Sequence, residues 1–220
     1  MKKHLIALVI LFTGLLSGSA IERPNIDLNG IKVDVTLNPS KYRALLDRYI
    51  NGDETLTVND MAKVYYGYAS TYDYNPTRSY TQINKLFDAG EYEKVYKQAT
   101  AALERDPLSL DLLAKAIMAV DKSPSLKNPS EYNKLKTRYD KLTELILLSG
   151  RGTMPESPFI VLSENDLQAL LRYVFYVTDI RERGYFGAYD VVCAMYPDGS
   201  REIVLFFDNT FQAQFDANKK

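Results

Sequence analysis

Apolar residues recur at helical spacing from Asn38 to Leu148, and beyond Gly150-Arg151-Gly152 they shorten into strand-like runs. Helices first and strands last predict an α+β fold, a helical-hairpin bundle followed by a small C-terminal antiparallel β-sheet. Asn38 is the N-cap of the first helix and Pro39 its first helical residue, followed by Tyr42, Leu45, Leu46 and Tyr49 at i, i+3, i+4 and i+7. Gly52-Asp53 ends it. Thr57 with Asp60 forms a capping box for a second helix carrying Met61, Val64, Tyr65 and Tyr68. A last long helix runs from about Ser130 to Leu148 on Tyr132, Leu135, Tyr139, Leu142 and Ile146. After it come a strand at Phe159–Leu162, a short helix capped by Ser163 and Asp166, and a strand from Tyr173 to Ile180. A hairpin with arms at Gly187–Tyr196 and Glu202–Asp208 then turns on Pro197-Asp198-Gly199-Ser200.

The first twenty residues have the three parts of a secretory signal: a basic start at Lys2, Lys3 and His4, an apolar run from Leu5 to Leu16, and the small residues Ser17, Gly18, Ser19 and Ala20. That apolar run is too short to span a bilayer. The expected organisation is a signal at 1–20, a helical repeat-like region at 21–149 and a C-terminal α/β region at 150–220 packed on it. Cleavage puts Ile21 first, and Ile21 is not the cysteine that a lipid anchor needs. The expected address is periplasmic or secreted, with no membrane span after cleavage.

Cleavage also removes the single histidine and two of the 27 basic side chains while leaving all 28 acidic ones. The resulting mild negative charge gives no electrostatic reason to bind nucleic acid. A chain without histidine cannot build a Ser-His-Asp or Cys-His nucleophile or a histidine-bearing zinc site. One cysteine excludes a disulfide within the chain, a thiolate cluster and a Cys-x-x-Cys pair. No cofactor and no metal are expected. Cys193, inside Val191-Val192-Cys193-Ala194-Met195, reads as a buried strand thiol. A carboxylate pair suffices for glycoside hydrolysis, but Asp190, Glu202 and Asp208 read as solvated strand-edge charges. Gly150-Arg151-Gly152 follows a helix and lacks Gly-Lys-Ser, so it reads as a helix-ending turn rather than a phosphate loop. The acids from Asp53 to Asp60 lack the glycine and final glutamate of a calcium loop and are assigned to capping.

Tyr80, Ile83, Leu86 and Phe87, the turn Ala89-Gly90-Glu91-Tyr92, a helix through Val95, Ala99, Ala102 and Leu103, and the stop Arg105-Asp106-Pro107 resemble one tetratricopeptide repeat. The register departs at Val95, where a small alanine is usual, and the first helix lacks the large aromatic and the leucine-glycine pair. A solenoid needs roughly three stacked repeats, and Ser123-Pro124-Ser125 breaks the next one. This resemblance implies that the first helix of the hairpin lines a concave face, exposing Tyr80, Asn84 and Phe87. The segment Val64-Tyr65-Tyr66-Gly67-Tyr68-Ala69, with Gly52-Asp53 before it and the hairpin and terminal sheet after it, resembles an uncharacterised Bacteroidetes family of exported proteins, a domain of unknown function. That likeness implies a Gram-negative periplasm and no activity. The family's longer acidic Gly-Asp-Gly-like segment is replaced here by Gly150-Arg151-Gly152.

Tyrosine is the unusual residue: 17 in all, with Tyr65, Tyr66, Tyr68, Tyr72 and Tyr74 close together. Tyr65 and Tyr68 share the face of Met61 and Val64 and belong to the core. Tyr66 points away from that face, and Tyr72 and Tyr74 lie in the following loop, where aromatics can stack on sugars or anchor a peptide. The expected function is a non-enzymatic exported binding protein that presents a helical groove to a protein or peptide of the cell envelope. The alternative is a carbohydrate-binding or glycan-processing accessory protein using the tyrosine-rich loop. Candidate binding residues are Tyr66, Tyr72, Tyr74, Tyr80, Asn84 and Phe87. Intact-mass measurement of exported material is expected to show a chain beginning at Ile21 without lipid; a mass that retains the signal would overturn the assignment.

Overall fold

The computed structural model describes residues 25–177, 179–186, 189–195, 199 and 202–219. The expected export signal and most of the Pro197-Asp198-Gly199-Ser200 turn lie outside the described residues. Seven helices come first: α1 (Leu28–Leu37), α2 (Pro39–Ile50), α3 (Val58–Tyr68), α4 (Thr81–Asp88), α5 (Tyr92–Leu103), α6 (Leu110–Lys122) and α7 (Pro129–Ser149). Strand β1 (Phe159–Ile160) and helix α8 (Glu164–Ala169) follow, then β2 (Asp179–Phe186), β3 (Tyr189–Met195), β4 (Glu202–Asp208) and α9 (Thr210–Ala217). The α+β class is as expected. Among the described residues no helix is long and apolar enough to cross a membrane.

Local signals account for most helix ends. Thr57 and Asp60 make the reciprocal capping box, with the Asp60 amide donating to Thr57 Oγ1 at 3.2 Å and the Thr57 amide donating to Asp60 Oδ2 at 3.0 Å. Pro39 and Pro129 open α2 and α7, and the Asn128 side chain caps α7. Helix α1 has its own cap in Asp27, whose carboxylate accepts from the Gly30 amide.

Helix α3 is the centre of the helical layer because it is buried on nearly every side. Met61, Ala62, Val64, Tyr65, Tyr66, Gly67 and Tyr68 are all buried. Gly67 is the contact point for α1: a Cβ there would stand 2.7 Å from Val35 Cγ2 and 3.1 Å from Tyr42 Cε2. The Tyr-Tyr-Gly sequence is thus a packing motif, with large rings on two sides of the helix and no side chain where α1 crosses.

The sheet has strand order β1-β4-β3-β2. Strands β2, β3 and β4 are antiparallel, whereas β1 runs parallel to β4, pairing Phe159 with Phe207. The sheet is therefore mixed rather than wholly antiparallel: β1 joins the edge of the last strand instead of forming a hairpin. The strand expected from Tyr173 to Ile180 starts late. Leu170–Val174 continues α8 as one wide helical turn, Tyr176 takes φ 55°, and the strand begins at Asp179. Leu167, Leu170, Leu171 and Val174 are all buried and stand at i, i+3, i+4 and i+7, so the helical period holds there.

Phe159 packs against Phe175 and Phe207, with ring centroids 5.7 and 5.9 Å apart. Helix α9 returns to the helical layer, stacking Phe211 on Tyr66 and setting Phe215 edge-on to Tyr74. Beneath Phe159 the chain passes through Gly152 at φ +67°, where a Cβ would lie 1.9 Å from the ring. Replacing Gly152 by alanine combines backbone strain with a clash that a fixed core ring cannot escape. We expect Gly152→Ala to lower stability by about 3 kcal/mol, read as a fall in the urea midpoint at unchanged m-value; an unshifted midpoint would contradict this packing.

Candidate functional site

A narrow cleft lies between the helical layer and the 162–166 segment. Its walls come from α3 (Tyr68), the α3–α4 loop (Tyr74, Asn75, Pro76), the α5–α6 connection (Asp106, Leu108, Ser109) and the chain entering α8 (Leu162, Ser163, Asn165, Asp166). Two carboxylates share it.

Asp166 is 4% exposed. Tyr65 Oη donates to its Oδ2 at 2.9 Å, and the Leu110 amide, first in α6, donates to its Oδ1 at 3.2 Å. Its own amide is capped by Ser163 Oγ. Burial pushes the Asp166 carboxyl up to about 7, opposed by the Tyr65 hydrogen bond and reinforced by the negative charge of Asp106. Asp106 accepts from Tyr80 Oη at 2.6 Å, and Arg78 Nη1 stands 3.7 Å from its Oδ1. Burial raises this carboxyl too, against the pull of Tyr80 and Arg78.

Two of the candidate residues expected at the surface are buried. Tyr66 is 2% exposed, donates to the Ile160 carbonyl at 3.3 Å and lies under Phe211. Tyr74 is 9% exposed, with its hydroxyl on the Leu162 carbonyl at 2.6 Å. Both corrections have one cause: helix α9 and the chain around β1 cover the open side of α3, where Tyr66 lies, and the loop after it, where Tyr74 lies. Tyr72 is fully exposed, so a sugar-stacking surface in this loop would rest on Tyr72 alone.

Tyr80, Asn84 and Phe87 do fall on one stripe of α4, with Tyr80 and Phe87 at the margin of the buried face of Ile83 and Leu86 and packed against the core, and Asn84 further toward solvent. Tyr80 is half-buried and tied to Asp106, and Phe87 is half-buried with its ring edge-on to Tyr92. Asn84 is exposed, and its Oδ1 accepts from Lys115 Nζ at 2.7 Å. Lys115 is 1% exposed and forms an ion pair with Asp111 one turn earlier on α6. An ammonium has only donors, so it must meet the carbonyl end of the Asn84 amide and leave the NH₂ end as the group for another partner.

Sequence reasoning passed over Asp106, Asp166 and the Asp111–Lys115 pair. The pair had a signal, because Asp111 and Lys115 are the only charges in Leu110–Val120 and share one face. Asp166 was read only as a cap, since spacing does not reveal that its carboxylate turns to Tyr65 and Leu110.

The family model for the Domain of unknown function (DUF4919) matches residues 29–214, most of the chain. The chain belongs to that family. No curated protein and no solved structure matches it. The match to the DUF4919 family takes in α3, α4, both cleft carboxylates and all four strands. Among the described residues of this DUF4919 chain no three His, Cys, Asp or Glu side chains converge as a metal site. Of the three strand carboxylates, Asp190 is buried and paired with Arg183, and Glu202 accepts from the Cys193 thiol.

Cys193 corrects another expectation. Strand β3 turns Asp190, Val192 and Ala194 inward, so the alternation places Cys193 on the outer face of the sheet, half-exposed. Its Sγ is 2.9 Å from Glu202 Oε1, and that hydrogen bond raises the thiol, with burial a lesser cause. Native protein is therefore expected to label at Cys193 with a maleimide, slowly near neutral pH. Glu202→Gln should speed labelling on the order of several-fold by favouring the thiolate. Equal rates in the two proteins would remove Glu202 as the cause.

Proposed function

We propose that this protein is an exported binding protein that presents the α4 stripe to an extended segment of a protein or peptide partner in the cell envelope. The observation that carries the reading is the oriented amide of Asn84. A buried lysine and its half-buried aspartate partner behind it fix the carbonyl inward, so a donor is held outward between two half-exposed rings, Tyr80 and Phe87. Donors of this kind satisfy the carbonyls of an extended backbone, and flanking aromatics supply apolar contact around them. A pre-oriented side chain also loses less entropy on binding than a free one. The tetratricopeptide-like register of 80–107 supports the same reading, since it assigns α4 to the concave side of its hairpin. The signal-like segment at 1–20 supports export.

Asn84→Asp separates binding from folding. It keeps an acceptor for Lys115, removes both donors and adds a charge. Photo-crosslinkers placed at exposed Thr81 and Asp88, one turn before and after Asn84 on α4, are expected to capture an envelope partner, with a control at Asp140 on α7 capturing none. Asn84→Asp should weaken that capture by about tenfold, on the scale of ~1 to 3 kcal/mol for an interface anchor, while the thermal midpoint stays within about 2 °C. Capture that ignores the Asn84 substitution would sink the reading.

A further inference from the structure

Helix α9 lies across the mouth of the cleft and is held there lightly. Among the described α-helices it alone has no buried residue. Its contacts fall on both walls. On the α3–α4 loop, Phe215 stands edge-on to Tyr74 with ring centroids 5.5 Å apart. Lys219, just past the helix, sits over the Phe215 ring and 3.4 Å from Thr77 Oγ1. On the opposite wall, Gln212 Oε1 accepts from the Glu164 amide at 2.7 Å, between the lining residues Ser163 and Asn165. Phe211 stacks on Tyr66 at 6.0 Å. An eight-residue helix is marginal in water by itself, so these few contacts decide whether α9 stays in place.

The residue that joins α9 to the sheet carries an unmet need. Asn209 occupies the N-cap position, yet its side chain makes no cap bond. Its Nδ2 donates instead to Asp190 Oδ2 at 3.4 Å, which leaves Oδ1 buried with no hydrogen-bond partner. The amide cannot be turned over to cure this. Asp190 is a buried carboxylate paired with Arg183, so it accepts and must face the NH₂ end. A buried acceptor without a donor costs free energy that water or a helix amide would return.

We propose that α9 is a strap with two settings, closed across the cleft on Tyr74 and Glu164 and open about Asn209, and that the unpartnered Asn209 oxygen biases it toward release. Opening frees that oxygen to accept from water or from the Gln212 amide, the usual task of an asparagine at an N-cap. It also uncovers the rings of Tyr66 and Tyr74 and the mouth of the cleft. The hydrogen bonds of Asp166 to Tyr65 and Leu110 lie beneath and include no group of α9. The strap thereby gates the cleft without unfolding the layers under it, and the inference stands apart from any role of α4.

Native-state hydrogen exchange on the full mature chain tests the strap. The amides of residues 213–217 and the Glu164 amide are expected to share one opening. It should be on the order of a hundredfold more frequent than the opening that exposes the Tyr65 and Tyr66 amides of α3, and insensitive to low urea because it exposes little surface. Phe215→Ala removes the ring contact at Tyr74 and should speed the shared opening about tenfold with α3 unchanged. Asn209→Ala removes the unpartnered oxygen and should slow it roughly fivefold, whereas loss of an ordinary cap would speed it. Exchange of α9 and α3 at one rate with one urea dependence, Glu164 exchanging apart from 213–217, an unchanged rate in Phe215→Ala, or exchange not slowed in Asn209→Ala would overturn the strap.

Discussion

A buried carboxylate with no cation beside it is expensive, and the rest of this fold is arranged around keeping Asp166 satisfied. Its two oxygens take one hydroxyl and one backbone donor, and that backbone donor is the free amide at the start of a 13-residue helix. The first turn of such a helix carries about half a positive charge and several unmatched N–H groups, so the anion and the helix end relieve each other. Hydrogen bonds to a charged acceptor contribute roughly 1.5 to 3 kcal/mol each when both groups are in place, and losing one partner leaves the full desolvation cost behind. Asp166 is in this sense a keystone between the layers, beside the hydrogen bonds of Tyr65, Tyr66, Tyr74 and Asn165 across the same junction.

The abundance of tyrosine has the same origin. The rings fill the centre of the molecule, while the hydroxyls reach the backbone of neighbouring segments. Tyr42 donates to the Val64 carbonyl, Tyr66 to Ile160, Tyr74 to Leu162 and Tyr49 to Arg138. Phenylalanine would fill the space as well but leave those carbonyls bare. Strand β1 is only two residues long and its flanks have few ladder bonds, so the tyrosines of α3 and its following loop stand in for a sheet neighbour along 160–162. Burial pushes every one of these phenols up, which suits them as donors and makes them poor acids.

Helical period and capping made α2 to α5 and α7 legible, α6 was not assigned, and the turn residues marked the β3–β4 hairpin. The errors cluster where a segment is enclosed on more sides than its own pattern implies. Tyr66 was read outward because a helix with one apolar stripe has one wet side, yet α3 has α9 on that side. Cys193 was read inward because Val191-Val192-Cys193-Ala194-Met195 is apolar throughout, and only the pairing with β4 reveals which alternate residues face the core. Helix α1 escaped notice because Ile31, Val33, Val35 and Leu37 alternate with polar residues at the period of a strand, and Val33 and Leu37 remain exposed. Of the candidate site, the α4 stripe was readable from spacing. The carboxylate pair was not, since its members are 60 positions apart in sequence and meet only in the folded chain.

Tyr80 belongs to both polar features of the molecule. Its backbone begins α4, and its hydroxyl is on Asp106 inside the cleft. Removing that ring would take a donor from a buried carboxylate and a wall from the α4 stripe at once, so its effects on binding and on folding could not be told apart. Asn84 is different. It is exposed, it makes its contact through one end of a symmetrical-sized amide, and an isosteric acid replaces that contact. The difference between these two residues of one stripe is that the fold needs the Tyr80 side chain and only orients that of Asn84. The Asn84 donor is aimed by the buried ammonium of Lys115 on α6 and its half-buried partner Asp111, where packing alone would have been served by an apolar residue in place of Lys115.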